Sequence, residues 1–142
     1  MNAHSTVRSV ARAFASLMLA FASLFHLAQA ADPQPGDDFL RLIDTKKYAE
    51  SWDVASEYFK QGVSRSEWAT QITRLRDPMG DVASRKLRSA EPQTNPPAAP
   101  PGEYLLMTYE TVFASQGAPR TETLPLIKGA DGRWRAVGYF VR

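Results

Sequence analysis

Cysteine is absent from the 142 residues, which excludes disulfides, thiolate nucleophiles, cysteine zinc sites and lipid attachment to cysteine. Histidine is nearly absent too, with His4 and His26 the only two. No apolar run reaches the roughly 20 residues of a membrane-spanning helix. The longest, from Ala13 to Ala28, is interrupted by Ser16, Ser23 and His26. Charge is close to balanced, 17 Lys+Arg against 15 Asp+Glu, for a formal net charge of +2. No twin-arginine pair occurs, and no Asp-x-Asp-x-Asp-Gly loop that would announce a calcium site.

The first thirty residues have the pattern of an export signal. Arg8 and Arg12 form a positive start with no acidic residue up to Ala30, the apolar stretch follows, and Ala28-Gln29-Ala30 places small residues where a signal peptidase reads. Asp32-Pro33 and Pro35-Gly36 then open a polar segment that stops a helix. The pattern predicts cleavage after Ala30 and a periplasmic or secreted protein, the competing readings being an uncleaved anchor or an ordinary core helix. Cleavage would leave 112 of the 142 residues, with 15 basic residues against 15 acidic ones and no histidine. The excess positive charge belongs to the signal, so for the neutral mature chain no nucleic-acid partner is expected, and no membrane span after cleavage.

Without His or Cys, residues 31–142 cannot form a Ser-His-Asp or Cys-His site, nor the usual zinc or copper sites. Acid–base work would fall to carboxylates, Lys or Tyr with strongly shifted pKa values. No cofactor is expected.

After a flexible stretch at 31–36, one domain is predicted over 37–142, with a helical front and a strand-rich back. Asp37 reads as a helix N-cap and Lys46-Lys47 as the last turn. Tyr48, Trp52, Ala55 and Phe59 recur at spacings of 4, 3 and 4, which places them on one helix face. Whether 37–61 forms one bent helix or two stays open. Ser64-Arg65-Ser66-Glu67 reads as a capping box before an apolar stripe of Trp68, Ile72 and Leu75, and Asp77-Pro78 ends that helix. Strands are predicted at 81–90, Tyr104–Phe113, 120–128 and Arg133–Val141, with a Pro-rich exposed loop at 91–101 and a hairpin turn at Ala130-Asp131-Gly132. In the first strand Ala83, Arg85 and Leu87 share a face. Pro125 predicts an edge or a bulge in the third. Helices followed by an antiparallel meander indicate an α+β fold, two or three N-terminal helices packed on one face of a curved four-stranded antiparallel sheet.

The stretch Tyr48-Ala49-Glu50-Ser51-Trp52 with Phe59-Lys60, Val63-Ser64 and Trp68 resembles a bacterial family of exported domains of unknown function, family 4019. So do Gly80…Arg85…Leu87, Pro101-Gly102-Glu103-Tyr104 and Asp131-Gly132-Arg133-Trp134-Arg135-Ala136-Val137-Gly138-Tyr139. The closing strand also resembles, more loosely, the last strand of nuclear-transport-factor-2-like (cystatin-like) domains, which implies a cone-like shape. Neither resemblance supplies a function.

Three constellations carry the functional expectations. Tyr48, Trp52, Trp68, Tyr109, Trp134 and Tyr139 either line a cavity between helices and sheet or fill the core of a small domain that has no disulfide. Arg74, Arg76, Arg85, Lys86 and Arg88 form either an anion-binding patch, with Arg85 turned inward to grip a carboxylate, or a solvated helix end and a charged strand. Glu103, Glu110 and Asp131 are the candidate acids. An interior Glu110 would have a raised pKa, and an exposed one would pair with Arg120, Arg133 or Arg135. The resulting reading is an exported, non-catalytic binding module, engaging a small molecule or an envelope protein on the concave sheet face. The alternatives are a homodimeric assembly protein joined by the outer sheet face, and a carboxylate-dependent hydrolase or isomerase.

Overall fold

The computed structural model describes residues 34–142. The predicted export signal at 1–30 and the first part of 31–36 lie outside them. Four α-helices, α1 (Asp37–Asp44), α2 (Tyr48–Val54), α3 (Glu57–Gly62) and α4 (Arg65–Arg76), precede a 3-10 turn (Asp77–Met79). The strands β1 (Val82–Thr94), β2 (Glu103–Phe113), β3 (Arg120–Lys128), β4 (Trp134–Ala136) and β5 (Phe140–Val141) follow. The fold is α+β. Among the described residues no helix is long and apolar enough to cross a membrane.

The helical front is divided more finely than periodicity suggests. Gly36, not Asp37, caps α1, at φ +86°, and a Cβ there would come within 2.5 Å of a Leu124 methyl. The Asp37 carboxylate instead accepts from the Gln34 amide at 2.7 Å. Helix α1 buries Phe39, Leu40, Leu42 and Ile43 and ends at Asp44. Lys46 then turns left-handed at φ 59°, so Lys46-Lys47 lie beyond the last turn. The stripe from Tyr48 to Phe59 is not one helix face. Ala55 is extended, and Ser56 caps α3 by accepting from the Phe59 amide at 3.1 Å. The Ser56 N–H goes to the Ala136 carbonyl of β4 at 3.0 Å, a tertiary bond that takes the chain out of α2. The capping box on α4 forms as predicted, and the helix runs into the Asp77-Pro78 turn.

The sheet order is β1-β2-β3-β4, all antiparallel, with β5 also on β3. The first strand continues through Glu91 and Pro92 to Thr94, where a loop from 91 was expected. The Asn95 amide donates to the Gly102 carbonyl at 3.0 Å. Antiparallel alternation then puts the next ladder bonds at Gln93 and Glu91 and turns the Pro92 nitrogen to the free edge, where no N–H is needed. The remaining loop is short and folded back, its Pro100 carbonyl accepting from the Tyr104 hydroxyl at 2.7 Å. Irregularities between Val82 and Ser84 and between Leu87 and Ser89 shift the pairing register of β1. Arg85 and Leu87 oppose Thr111 and Tyr109 on the helix side, while Ala83 falls in the irregularity.

Pro125 sits neither on an edge nor in a bulge. Its carbonyl accepts from the Val137 amide at 2.9 Å, so its nitrogen faces the same side, and there the closing strand is broken into β4 and β5. The proline withholds one ladder bond, and Gly138 crosses the gap with its Cα near the Pro125 ring. Helix-facing residues Met107, Tyr109, Leu124, Leu126 and Ala136 join Phe39, Ile43, Phe59, Trp68 and Ile72 in the core.

Candidate functional site

Two parts of the domain hold the chemistry, a buried charge cluster and an aromatic cleft, joined through Tyr139. The cluster begins on β3. Glu122 shares its face with Leu124 and Leu126, so the strand carries a carboxylate into the core at 0% exposure. Arg85 reaches it from β1, Nε to Oε2 at 2.6 Å and Nη2 to Oε1 at 3.1 Å. The same guanidinium grips Asp44, at the end of α1, at 2.6 and 2.9 Å. Four of its five N–H donors are thereby committed to internal carboxylates. Arg76, at the end of α4, is buried rather than solvated, its guanidinium 4.7 Å from the Phe113 ring centroid. It donates to the Tyr139 hydroxyl at 2.8 Å and to Asp44 at 3.2 Å. Tyr139 and Thr111 both donate to Glu122.

Two carboxylates against two guanidiniums leave the cluster neutral. Desolvating such groups costs several kcal/mol per ion, roughly, and good geometry with further hydrogen bonds must offset it. Burial opposes the charge on Arg85, but Asp44 and Glu122 outweigh it and raise its pKa. Burial, then the Glu122 charge, pushes the Tyr139 phenol well above its ordinary range. The cluster is a neutral brace that ties α1, α4, β1, β2 and β3 together.

The cleft lies where α3 and α4 meet the broken closing strand, with a volume of about 540 Å³. Its wall is Phe59, Trp68, Val137 and Tyr139, and its rim is Tyr58, Gln61, Gln71 and Phe140. No charged side chain lines it. The wall is held rigidly: Trp68 donates to Ser51 Oγ at 2.9 Å, and Phe59 meets its indole edge-on at 4.9 Å. Tyr139 offers a ring to the cleft and a hydroxyl to the cluster. Two other open clefts are charged instead. One, of about 560 Å³, runs between the start of α1 and β4 past Arg41, Asp53 and Arg133. The other, of about 470 Å³, holds Asp44, Arg85 and Tyr109. Among the described residues no group of carboxylates is arranged to hold a metal ion.

With that geometry in view, residues 36–139 match the family described as a protein of unknown function, DUF4019. The chain belongs to the DUF4019 family. No curated protein matches it. The DUF4019 span runs from the glycine that caps α1 to the tyrosine that joins cluster and cleft, so the whole charge cluster lies inside it.

The site residues expected from sequence are distributed over several places in this DUF4019 domain. Trp68 and Tyr139 come together in the aromatic cleft, and Arg85 and Tyr109 come together beside Asp44, with the Arg85 guanidinium 6.0 Å from the Tyr109 ring centroid. Tyr109 is buried with no partner for its hydroxyl, and burial, then Asp37, pushes its pKa up to about 12. Tyr48 lies apart, donating to Asp77 at 2.8 Å, its pKa also pushed up to about 12 by burial and that bond. Trp52 donates to the Val63 carbonyl at 2.8 Å and is half-buried. Trp134 lines the cleft at the start of α1, with Lys128 5.8 Å from its ring centroid.

Glu110 is 46% exposed and pairs with Arg88 at 2.5 Å on the adjoining strand, not with Arg120, Arg133 or Arg135. Glu103 and Asp131 are also exposed, paired with Lys128 and Arg135. Sequence reasoning missed the buried acid, Glu122. The signal was there: Glu122, Leu124 and Leu126 alternate on one face of a strand.

Proposed function

We propose that the mature, exported chain is a non-catalytic binding module that takes an uncharged small molecule into the aromatic cleft. One observation carries the reading: the cleft is open, preorganised by hydrogen bonds behind its wall, and lined by no charged side chain. Small-molecule sites are commonly apolar and aromatic with a few polar groups, and this cleft has Gln61 and Gln71 in that role. The helix-side sheet face is also open beside Arg85 and Tyr109, but that cleft carries charged side chains. Catalysis is disfavoured by the acids available. Glu122 is buried with its charge met by two guanidiniums, and Glu110 is a surface ion pair.

Ligand-detected NMR with Nile red, cyclohexanol and maltotriose tests the reading. Gly62 lines the cleft, and a Cβ there meets nothing within 4 Å, so Gly62→Leu occupies space without disturbing the wall. Saturation transfer in wild type that Gly62→Leu abolishes is the expected result. No transfer to any probe, or transfer equal in both proteins, overturns it. Export is tested by the mass of protein recovered from the cell envelope, expected to begin at Ala31.

A second reading, a homodimer joined by the outer sheet face, is favoured by one observation. Leu106 opposes Pro125 and Tyr104 opposes Ile127 on that face. Leu106, Pro125 and Ile127 are half-buried and stand outside the core cluster.

A further inference from the structure

The chemistry of the cleft narrows the ligand class, given the reading of that cleft as a binding site. We infer that the ligand is a neutral saccharide, with the apolar face of a pyranose ring stacked on a rim aromatic and its hydroxyls held by the Gln61 and Gln71 amides. Four features converge on it.

An ionic ligand would lose hydration at a surface with no counter-charge, a large cost, and the lining offers none. A wholly apolar ligand is poorly served as well. The cleft is open, so much of such a ligand would stay in water, and its gain scales with the apolar area removed from it. A sugar ring divides the other way: one C–H face is apolar, while the hydroxyl edge does best when hydrated or hydrogen-bonded. The rim matches that division. Tyr58 and Phe140 are 42% and 51% exposed, large aromatic rings left facing water. The negative π face of such a ring attracts the partial positive charge of C–H bonds. Gln61 and Gln71 are exposed beside them, and each amide supplies both donors and an acceptor, the mixture that hydroxyls need.

The position of Phe140 is itself built. Gly138 precedes it across the Pro125 gap, and a Cβ on Gly138 would come within 3.0 Å of the Phe140 ring. A side chain at that position would press the ring away from the backbone. The break in the closing strand, which Pro125 imposes, therefore sets one of the two aromatic platforms.

The test titrates the isotope-labelled protein with triacetylchitotriose, maltotriose and cellotriose in parallel, and separately with Nile red. The result expected is that at least one trisaccharide shifts the amide resonances of Val137, Gly138 and Phe140. Tyr58→Ala or Phe140→Ala should then weaken its binding roughly three- to tenfold, the worth of one aromatic contact. Both residues are exposed, so circular dichroism should be unchanged. Gln71→Leu should weaken the saccharide and leave Nile red unaffected. If Nile red binds in the cleft and no trisaccharide does, the saccharide class is wrong while the cleft reading survives. If neither binds, both fall. A trisaccharide whose affinity is unaltered by all three substitutions binds elsewhere, and that also overturns the inference.

Discussion

Glu122 shows how much one residue can decide. It stands on the apolar face of β3, and Arg85, Thr111 and Tyr139 all donate to it. Glu122→Gln leaves Arg76 and Arg85 with Asp44 as their only carboxylate, and urea denaturation should show a loss of about 3–5 kcal/mol. Tyr109 presents the opposite case, a buried hydroxyl with no partner. Tyr109→Phe removes an unsatisfied group, so the variant should be no less stable at pH 7 and gain up to about 1 kcal/mol in the same assay. Tyr109→Phe also differs from wild type at high pH. Burial raises Tyr48 and Tyr109 from about 10 to about 12, so the folded protein keeps these protons after the unfolded chain has lost them. Their contribution is whole below pH about 10 and is lost as pH rises through about 12. Stability should therefore fall over that window, and fall less steeply in Tyr109→Phe than in wild type.

At the scale of elements, the reliable signals are the ones in which local chemistry and tertiary context agree. The capping box from Ser64 to Glu67 satisfies two amides from within one turn, and Ser64→Ala should cost about 1 kcal/mol by thermal or urea unfolding. The prolines needed their neighbours to be understood. Pro92 reads as the start of a loop, yet its nitrogen points to the free edge of β1, and Pro92→Thr should change stability by less than about 0.5 kcal/mol. Pro125 reads as an edge or a bulge, and its effect appears one strand away, as the gap between β4 and β5. The helix stripe from Tyr48 to Phe59 misled for a related reason. Its spacing was helical, but Ser56 had two better hydrogen-bond partners outside a continuous helix, the Phe59 amide for its side chain and the Ala136 carbonyl for its N–H.

For the whole molecule, the question is what meets its two free surfaces. The aromatic cleft is small and concave, suited to a small molecule. The outer sheet face is broad, with Leu106, Pro125 and Ile127 in register across two strands. If that face joins two copies, sedimentation equilibrium should show a dimer that Ile127→Lys dissociates, and a monomer at all accessible concentrations removes the second reading.

Sequence alone determined the α+β class, the capping box at Ser64, the turn at Ala130-Asp131-Gly132 and most strand positions, because each rests on a few neighbouring residues acting through short-range chemistry. It also placed Arg85 inward as one of two options and named Trp68 and Tyr139 together. Tertiary structure alone decided what Arg85 holds, since Asp44 and Glu122 lie 41 and 37 residues from it in the chain. It decided as well that Tyr48, Trp52 and Trp134 separate while Trp68 and Tyr139 meet at an uncharged cleft. Spacing predicts which residues share a face. Which faces meet depends on register, on a proline's missing N–H and on where a buried charge finds its partners.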